Sequence, residues 1–201
     1  MKSTTDDSNY VVSYRNMREL PMSGQMDDVS TSSQQSHTKY STERVWHSGA
    51  PRQEGPVSVF DAAKYILKRL GSPCSTMKLH KLLYYSQAWS MVWEESPLFF
   101  QPVEAWANGP VIRQLFNYHR GLYQMGYNDM AVGNEDALSA TQKADVDEVL
   151  DFYGGRSAQW LIDQTHIEAP WKDARKGLAS NERGNNVITL QAMQEYYSSL
   201  C

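Results

Sequence analysis

The residues with the clearest potential for chemistry are His166 and Glu168, which occur in the order His-Ile-Glu. This spacing opens the zinc deaminase site, in which the histidine binds the metal and the glutamate transfers protons. The Pro-Cys-x-x-Cys segment of those enzymes does not occur in the sequence, and a catalytic zinc normally has three protein ligands. The pattern therefore favours a structural histidine near the end of a helix. A metal-dependent hydrolase that uses His166, Glu168 and distant ligands stays open as the enzymatic alternative.

Other candidate catalytic groups are isolated in the sequence. His80 and His119 lie in predicted helices without the His-Glu-x-x-His spacing that sets two metal ligands on one face. Cys74 has no activating neighbour in sequence, and no Gly-x-Ser-x-Gly motif occurs. Gly154-Gly155 follows a predicted helix, whereas a phosphate-binding loop follows a strand. The sequence thus predicts a protein that has no cofactor and is not an enzyme.

An acidic segment offers a possible binding surface. Asp145 and Glu148 are three residues apart, and Asp147 and Asp151 are four apart, so these carboxylates are predicted to line one exposed side of a helix. Such a run is commonly a solvated helix face. Its functional interpretation is a docking strip for a basic partner, which would accelerate association and make it salt-dependent.

The segment Trp106-Ala107-Asn108-Gly109-Pro110-Val111 is a second possible binding surface. Proline at the first helical position loses no needed N–H group, so Gly109-Pro110 predicts a sharp entry into a helix whose free N–H groups point outward. The corner is interpreted either as packing or as recognition. The residues predicted to contact a partner are Trp106, Asn108, Gly109, Pro110, Arg113, Asp145 and Glu148.

The elements that must position these residues begin near Val57. Residues 1–56 are rich in Ser, Thr, Asp and Gln without sustained periodicity, which predicts a polar, disordered extension. Two short clusters, Tyr10–Tyr14 and Val45-Trp46, leave open an alternative in which the extension orders on a partner. Residues 57–200 are predicted to form one domain.

Helix signals recur along this domain. Ser58 with Asp61 predicts a capping box, Gly71 a helix end, and Ser75 or Thr76 the start of a second, broad aromatic helix that is buried on more than one side. Further helices are predicted after Gly109, Ser139, Ser157 and Thr189, and a short turn follows Pro170. The predicted structural residues are Leu79, Leu82, Leu83, Tyr84, Trp89, Trp106, His166, Pro170 and Trp171.

The fold class is therefore mainly α: a compact bundle of about six helices around a buried central helix, with a small extended or hairpin element between Leu98 and Trp106. The sequence has 19 basic and 23 acidic residues and a formal charge of -4, which disfavours nucleic acid as the main partner. No apolar run approaches the roughly 18 residues of a membrane span. With only two cysteines, a cytoplasmic protein without membrane association is expected.

Three blocks of sequence resemble the Panacea domain, the SocA-like antitoxin family that is also known from phage-associated proteins. They are Lys78–Trp89, Pro97–Val111 and Thr165–Trp171, and the resemblance extends over about 57–200. The family usually has Gln where this chain has His80, and its members often begin near the first helix.

The resemblance implies an antitoxin that binds and neutralises a cognate toxin protein, with no established catalytic residues. One relative is an adaptor that delivers its toxin to a protease, which is an alternative mechanism. A phage or mobile-element protein that binds a host factor is a third interpretation.

Overall fold

The computed structural model describes residues 55–201, and residues 1–54, on which the predicted disordered extension falls, lie outside the described residues. The described part is mainly helical, as predicted. Its helices are α1 (Val59–Leu70), α2 (Thr76–Trp93), α3 (Arg113–Tyr118), α4 (Ala140–Tyr153), α5 (Ala158–Ile167), α6 (Ala169–Ala174) and α7 (Leu190–Ser198). Its strands are β1 (Cys74–Ser75), β2 (Val103–Trp106), β3 (Gly109–Val111), β4 (Gln124–Met125) and β5 (Val187–Ile188).

Most helix boundaries follow from local capping chemistry. Ser58 and Asp61 form the predicted capping box at the start of α1, and Gly71 ends that helix with φ of 66°. Ser139, after which a helix was predicted, forms a capping box with Gln142 at the start of α4. The predicted caps Ser157 and Thr189 each accept a backbone N–H three residues ahead.

Helix α2 is the centre of the domain, which confirms the prediction of a buried central helix. Every residue from Leu79 to Met91 is buried, and α1, α4, α5 and α7 all pack against it. One polar side chain on α2 is satisfied by backbone groups: Gln87 donates to the carbonyl of Phe99 at 2.9 Å and accepts from its N–H at 3.0 Å. This exchange fixes the segment that leads into β2.

The small extended element is a hairpin. Strands β2 and β3 pair antiparallel with Trp106 opposite Gly109, and β5 adds to the other side of β2. The predicted helix start at Gly109-Pro110 is wrong, because these residues form β3 and α3 begins only at Arg113. Gly109 has φ of 93°, which suits the end of a tight turn, and Pro110 lies in an edge strand where no N–H is needed.

The segment between α3 and α4 has little regular structure. Its strand β4 pairs with β1 through Met125 and Cys74, and two 3-10 turns follow at Tyr127–Asp129 and Glu135–Ala137. None of the helices within residues 55–201 combines the length and the apolar character that a bilayer span requires.

Candidate functional site

Trp106 ends β2 and holds the hairpin to its surroundings. Its indole N–H donates to Glu104 at 2.8 Å, and its carbonyl accepts from the indole N–H of Trp171 at 2.9 Å. Its ring meets Phe116 edge to face, with 4.8 Å between the ring centroids. The hairpin end is therefore tied by specific contacts to α3 and α6.

Arg113, the first residue of α3, forms a two-bonded ion pair with Glu104. Its Nε and one terminal nitrogen lie 2.8 and 2.7 Å from the two carboxylate oxygens, and its guanidinium lies 5.4 Å from the centre of the Trp106 ring. Burial acts to raise the pKa of Glu104, but the hydrogen bonds from Arg113 and Trp106 outweigh it, so the pKa is lowered. The carboxylate stays ionised and fixes both side chains.

The predicted partner contacts at this corner differ in accessibility. Asn108 is exposed at the turn and the Arg113 side chain is 48% exposed, while Trp106 is half-buried. Gly109 and Pro110 are buried, so the prediction that they contact a partner is corrected. They face inward because the chain turns back as β3 against α2 and α5. We define the tip surface as Trp106, Ala107, Asn108 and Arg113.

A buried lysine of α2 lies directly beneath the turn. Lys81 is 0% exposed, and its ammonium nitrogen donates to the carbonyl of Pro110 at 3.1 Å. Burial lowers the pKa of Lys81 from 10.5 to about 7, since the charged form loses its hydration. An added Cβ at Gly109 would lie 2.5 Å from Cε of Lys81, so this close approach requires glycine.

We expect Gly109→Ala to lower the free energy of unfolding by roughly 2 kcal/mol or more, because it combines a left-handed backbone with an overlap in the core. Gly121→Ala is the matched control: Gly121 also has a positive φ, of 92°, but an added Cβ there would meet open space. Urea unfolding of both variants separates the cost of the left-handed backbone, which both share, from the cost of the overlap with Lys81, which only Gly109→Ala has. Equal losses of stability would contradict the close contact between Gly109 and Lys81.

His80 and His119 form a buried hydrogen-bonded pair. Their Nε2 atoms are 2.8 Å apart, and Nδ1 of His80 accepts the backbone N–H of Ile112 at 3.2 Å. This places the His80 proton on Nε2, from which it is donated to His119, so neutral His119 carries its proton on Nδ1. Burial lowers the pKa of both imidazoles, which favours these neutral forms. Residue spacing did not reveal this pair, because 39 positions separate its members.

A cavity of about 810 Å³ opens at the tip surface, all four residues of which line it, and it extends between the start of α2, the hairpin, α3 and the loop at 183–185. His80 and His119 lie in its wall together with three arginines, Arg113, Arg120 and Arg183. Arg120 and Arg183 were not identified from the sequence, because neither belongs to a recognisable motif. A volume of this size falls in the usual range for small-ligand sites.

The loop that closes the cavity is held by Arg175. This residue is 5% exposed. Its guanidinium donates to the carbonyl of Ala105 in β2 at 3.0 Å and to those of Ala179 and Glu182 at 2.9 and 2.8 Å. One planar side chain thus ties the loop before β5 to the sheet, which positions Arg183.

The acidic helix differs from its predicted form. Asp145 is 5% exposed, so the prediction of a fully exposed acidic side is wrong for this residue. Asp147 is half-buried, where it accepts from the Tyr65 hydroxyl at 3.0 Å and from Arg69 at 2.7 Å. The carboxylates of α4 therefore serve in part to pack α4 against α1. Glu148 is half-buried, and its contact with a partner stays a prediction.

His166 and Glu168 do not share a site. The His166 ring stacks on Trp171 with 4.2 Å between centroids, whereas Glu168 is 0% exposed and accepts the hydroxyl hydrogen of Tyr197 at 2.7 Å. Within residues 55–201, no group of three or more His, Cys, Asp or Glu side chains is arranged to hold a metal ion. The predicted structural residues are placed in or against the core: Leu79, Leu82, Leu83, Tyr84, Trp89, Pro170 and Trp171 are all buried.

These features define a class of protein: a mainly helical domain around a buried central helix, with a short antiparallel hairpin that forms one wall of a cavity. Residues 79–172 match the family model "Antitoxin SocA-like, Panacea domain". This match confirms the Panacea resemblance over that segment, which runs from α2 to α6. No curated protein and no solved structure matches the chain.

Helices α1 and α7 lie outside the matched segment. Both pack against α2, and their buried residues belong to the same hydrophobic core. The extension of the family domain over 57–200 stays a prediction.

Proposed function

We propose that this protein is an antitoxin that neutralises a cognate toxin protein in the cytoplasm by direct binding, without catalysis of its own. The observation that carries the proposal is the match of residues 79–172 to an antitoxin family. That segment includes α2 from Leu79 onward, the hairpin, α3 and the complete tip surface. We propose the tip surface as the centre of the contact with the toxin, and Glu148 as a contact further along the domain.

The construction of the tip surface supports this choice. Tryptophan and arginine are the residue types that most often dominate protein interfaces. Here Trp106 and Arg113 are held in place by Glu104 and Phe116, so binding would immobilise few additional torsions. A surface that is ordered before binding loses less conformational entropy when the complex forms.

The proposal is tested by expressing the toxin candidate encoded by the neighbouring gene, with and without this protein. Restored growth and co-purification of the two proteins are expected. Unchanged growth arrest together with a lack of co-purification would refute the antitoxin function.

Asn108→Arg tests the surface. Asn108 is exposed, so the added bulk and charge should leave the fold intact while weakening toxin binding roughly tenfold or more. Asn128→Arg is the control, because Asn128 is also exposed but lies in the turn at Tyr127–Asp129, which packs near α1. Growth rescue and the dissociation constant measure the effect. Equal growth rescue and equal dissociation constants for the two variants would show that the tip surface does not contact the toxin.

The adaptor mechanism makes a different prediction for the same strains. Delivery to a protease would shorten the half-life of the toxin when this protein is present, whereas masking leaves it unchanged or lengthens it. A pulse-chase measurement of the toxin separates the two mechanisms.

A further inference from the structure

The cavity, whose wall includes the tip surface, is lined by basic side chains although the protein has a formal charge of -4. Three arginines line it, and its wall in the described part of the chain contains no aspartate or glutamate. A concave site with one sign of charge concentrates ligands of the opposite sign. The chemistry of the wall therefore points to an anionic ligand.

Two of these arginines are available to such a ligand. Arg113 is already bound to Glu104 through two hydrogen bonds. Arg120 and Arg183 are exposed and have no ion pair with any residue of 55–201. The planar guanidinium group matches the geometry of phosphate oxygens and binds them through two parallel hydrogen bonds.

His119 adds an imidazole ring to the wall of the cavity. The side chain is 3% exposed and lies in the cavity wall, and its Nδ1 has no hydrogen-bond partner in the described structure. The hydrogen bonds from Ile112 to His80 and from His80 to His119 place a proton on this nitrogen. A buried donor without an acceptor costs about 1–3 kcal/mol, but this nitrogen has almost no accessible surface, so a ligand would reach it only if the cavity wall shifted on binding.

The size and the remaining lining of the cavity indicate more than a bare phosphate. Its volume of about 810 Å³ exceeds what one inorganic anion fills. Tyr123, with 89% of its surface exposed, lies at the edge of the cavity, and an exposed tyrosine ring is a surface on which a nucleobase can stack. Asn108, Asn117 and Asn185 in the wall add amide groups that can bond to the edges of a base.

We propose that this cavity binds a nucleoside phosphate, with the phosphates on Arg120 and Arg183 and the base against Tyr123. The cavity shares the wall residues Trp106, Ala107, Asn108 and Arg113 with the tip surface, but neither proposal rests on the other. Nucleotide binding is tested with the purified full-length chain in the absence of any toxin, so failure of one proposal does not affect the other.

The experiment is isothermal titration at one ionic strength with ADP, GDP, pyrophosphate, adenosine and an octaglutamate peptide. At least one of the two nucleotides should bind more tightly than pyrophosphate, and adenosine should bind weakest. Arg120→Gln combined with Arg183→Gln should weaken nucleotide and pyrophosphate binding by about tenfold or more. Tyr123→Ala should weaken nucleotide binding by about fivefold or more and leave pyrophosphate binding unchanged.

Arg156→Gln is the matched control, since Arg156 is exposed and does not line the cavity. It should bind nucleotides as the unmodified protein does. Several results would overturn the proposal: no nucleotide binding up to about 1 mM, binding that survives the double arginine substitution, or pyrophosphate binding as tight as that of both nucleotides. Tighter binding of octaglutamate than of either nucleotide would also overturn it and would assign the cavity to an acidic protein segment.

Discussion

Glu168→Ala is expected to lower the free energy of unfolding by about 3–5 kcal/mol, a large share of the stability of a domain of this size. Glu168 is 0% exposed. It accepts hydrogen bonds from the Tyr197 hydroxyl at 2.7 Å, from the Tyr85 hydroxyl at 3.3 Å and from the Gln164 amide at 3.4 Å. The substitution removes an acceptor shared by α2, α5 and α7 and leaves a void between these helices.

Urea unfolding measures the effect. Tyr197→Phe removes one hydroxyl and keeps the ring, so it should lower the free energy of unfolding by less, about 1–2 kcal/mol. Glu195→Ala is the control, because Glu195 is exposed on α7 and its side chain accepts only from Gln191 among the described bonds; a change within about 0.5 kcal/mol is expected. If Glu168→Ala changed the free energy of unfolding as little as Glu195→Ala does, the buried carboxylate would not hold these helices together.

Lys81→Met is expected to change the pH dependence of stability. The pKa of Lys81 is about 7 in the folded protein, against an ordinary value of 10.5. Between these values the unfolded chain holds a proton that the folded chain has released, so stability rises with pH. Below pH 7 both states are protonated and the cost of the buried charge is fully present. Between these two pKa values, this lysine raises the free energy of unfolding by up to about 1.4 kcal/mol per pH unit.

The measurement is the free energy of unfolding from pH 6 to pH 9 for the unmodified chain, Lys81→Met and the exposed-lysine control Lys172→Met. The range ends below pH 10 because burial raises the pKa of Tyr197 and of Tyr65, the latter to about 12, which reduces stability at higher pH. Lys81→Met should remove most of the rise between about pH 7.5 and about pH 9, and it should be the more stable protein at pH 6. Below about pH 7 the lowered pKa values of His80 and His119 add a rise that all three proteins share. Equal slopes in all three proteins would contradict a buried lysine that deprotonates near neutrality.

The parts of the fold that the sequence predicted correctly are those decided by local chemistry. At the helix starts, Ser58 and Ser139 accept backbone N–H groups of the first turn, and Gly71 ends α1. These contacts join residues only a few positions apart, so they can be predicted from the local sequence. Gly109-Pro110 was ambiguous at this level, since proline suits both a first helical turn and an edge strand. Pairing with β2 makes Gly109-Pro110 part of a strand. The Asn108-Gly109 pair is a common hairpin-turn sequence and could have indicated this strand.

The candidate site was predicted only in part for a similar reason. Trp106, Asn108 and Arg113 were identified as neighbours in one segment, and they do lie together. Helical spacing placed the α4 carboxylates on one side, but it did not show which side faces solvent; Asp145 lies beside the apolar stripe of Val146 and Val149 and is buried with it. The wall of the cavity brings together His80, Arg120 and Arg183, which are far apart in sequence, and only the tertiary structure joins them.

The most direct test of the antitoxin account is to measure binding between the purified full-length chain and the purified product of the neighbouring toxin gene by isothermal titration. The account predicts a saturable complex with the unmodified protein and with Asn128→Arg, and roughly tenfold or greater weakening with Asn108→Arg. Absence of any complex between the two folded proteins at micromolar concentrations would contradict neutralisation by direct binding.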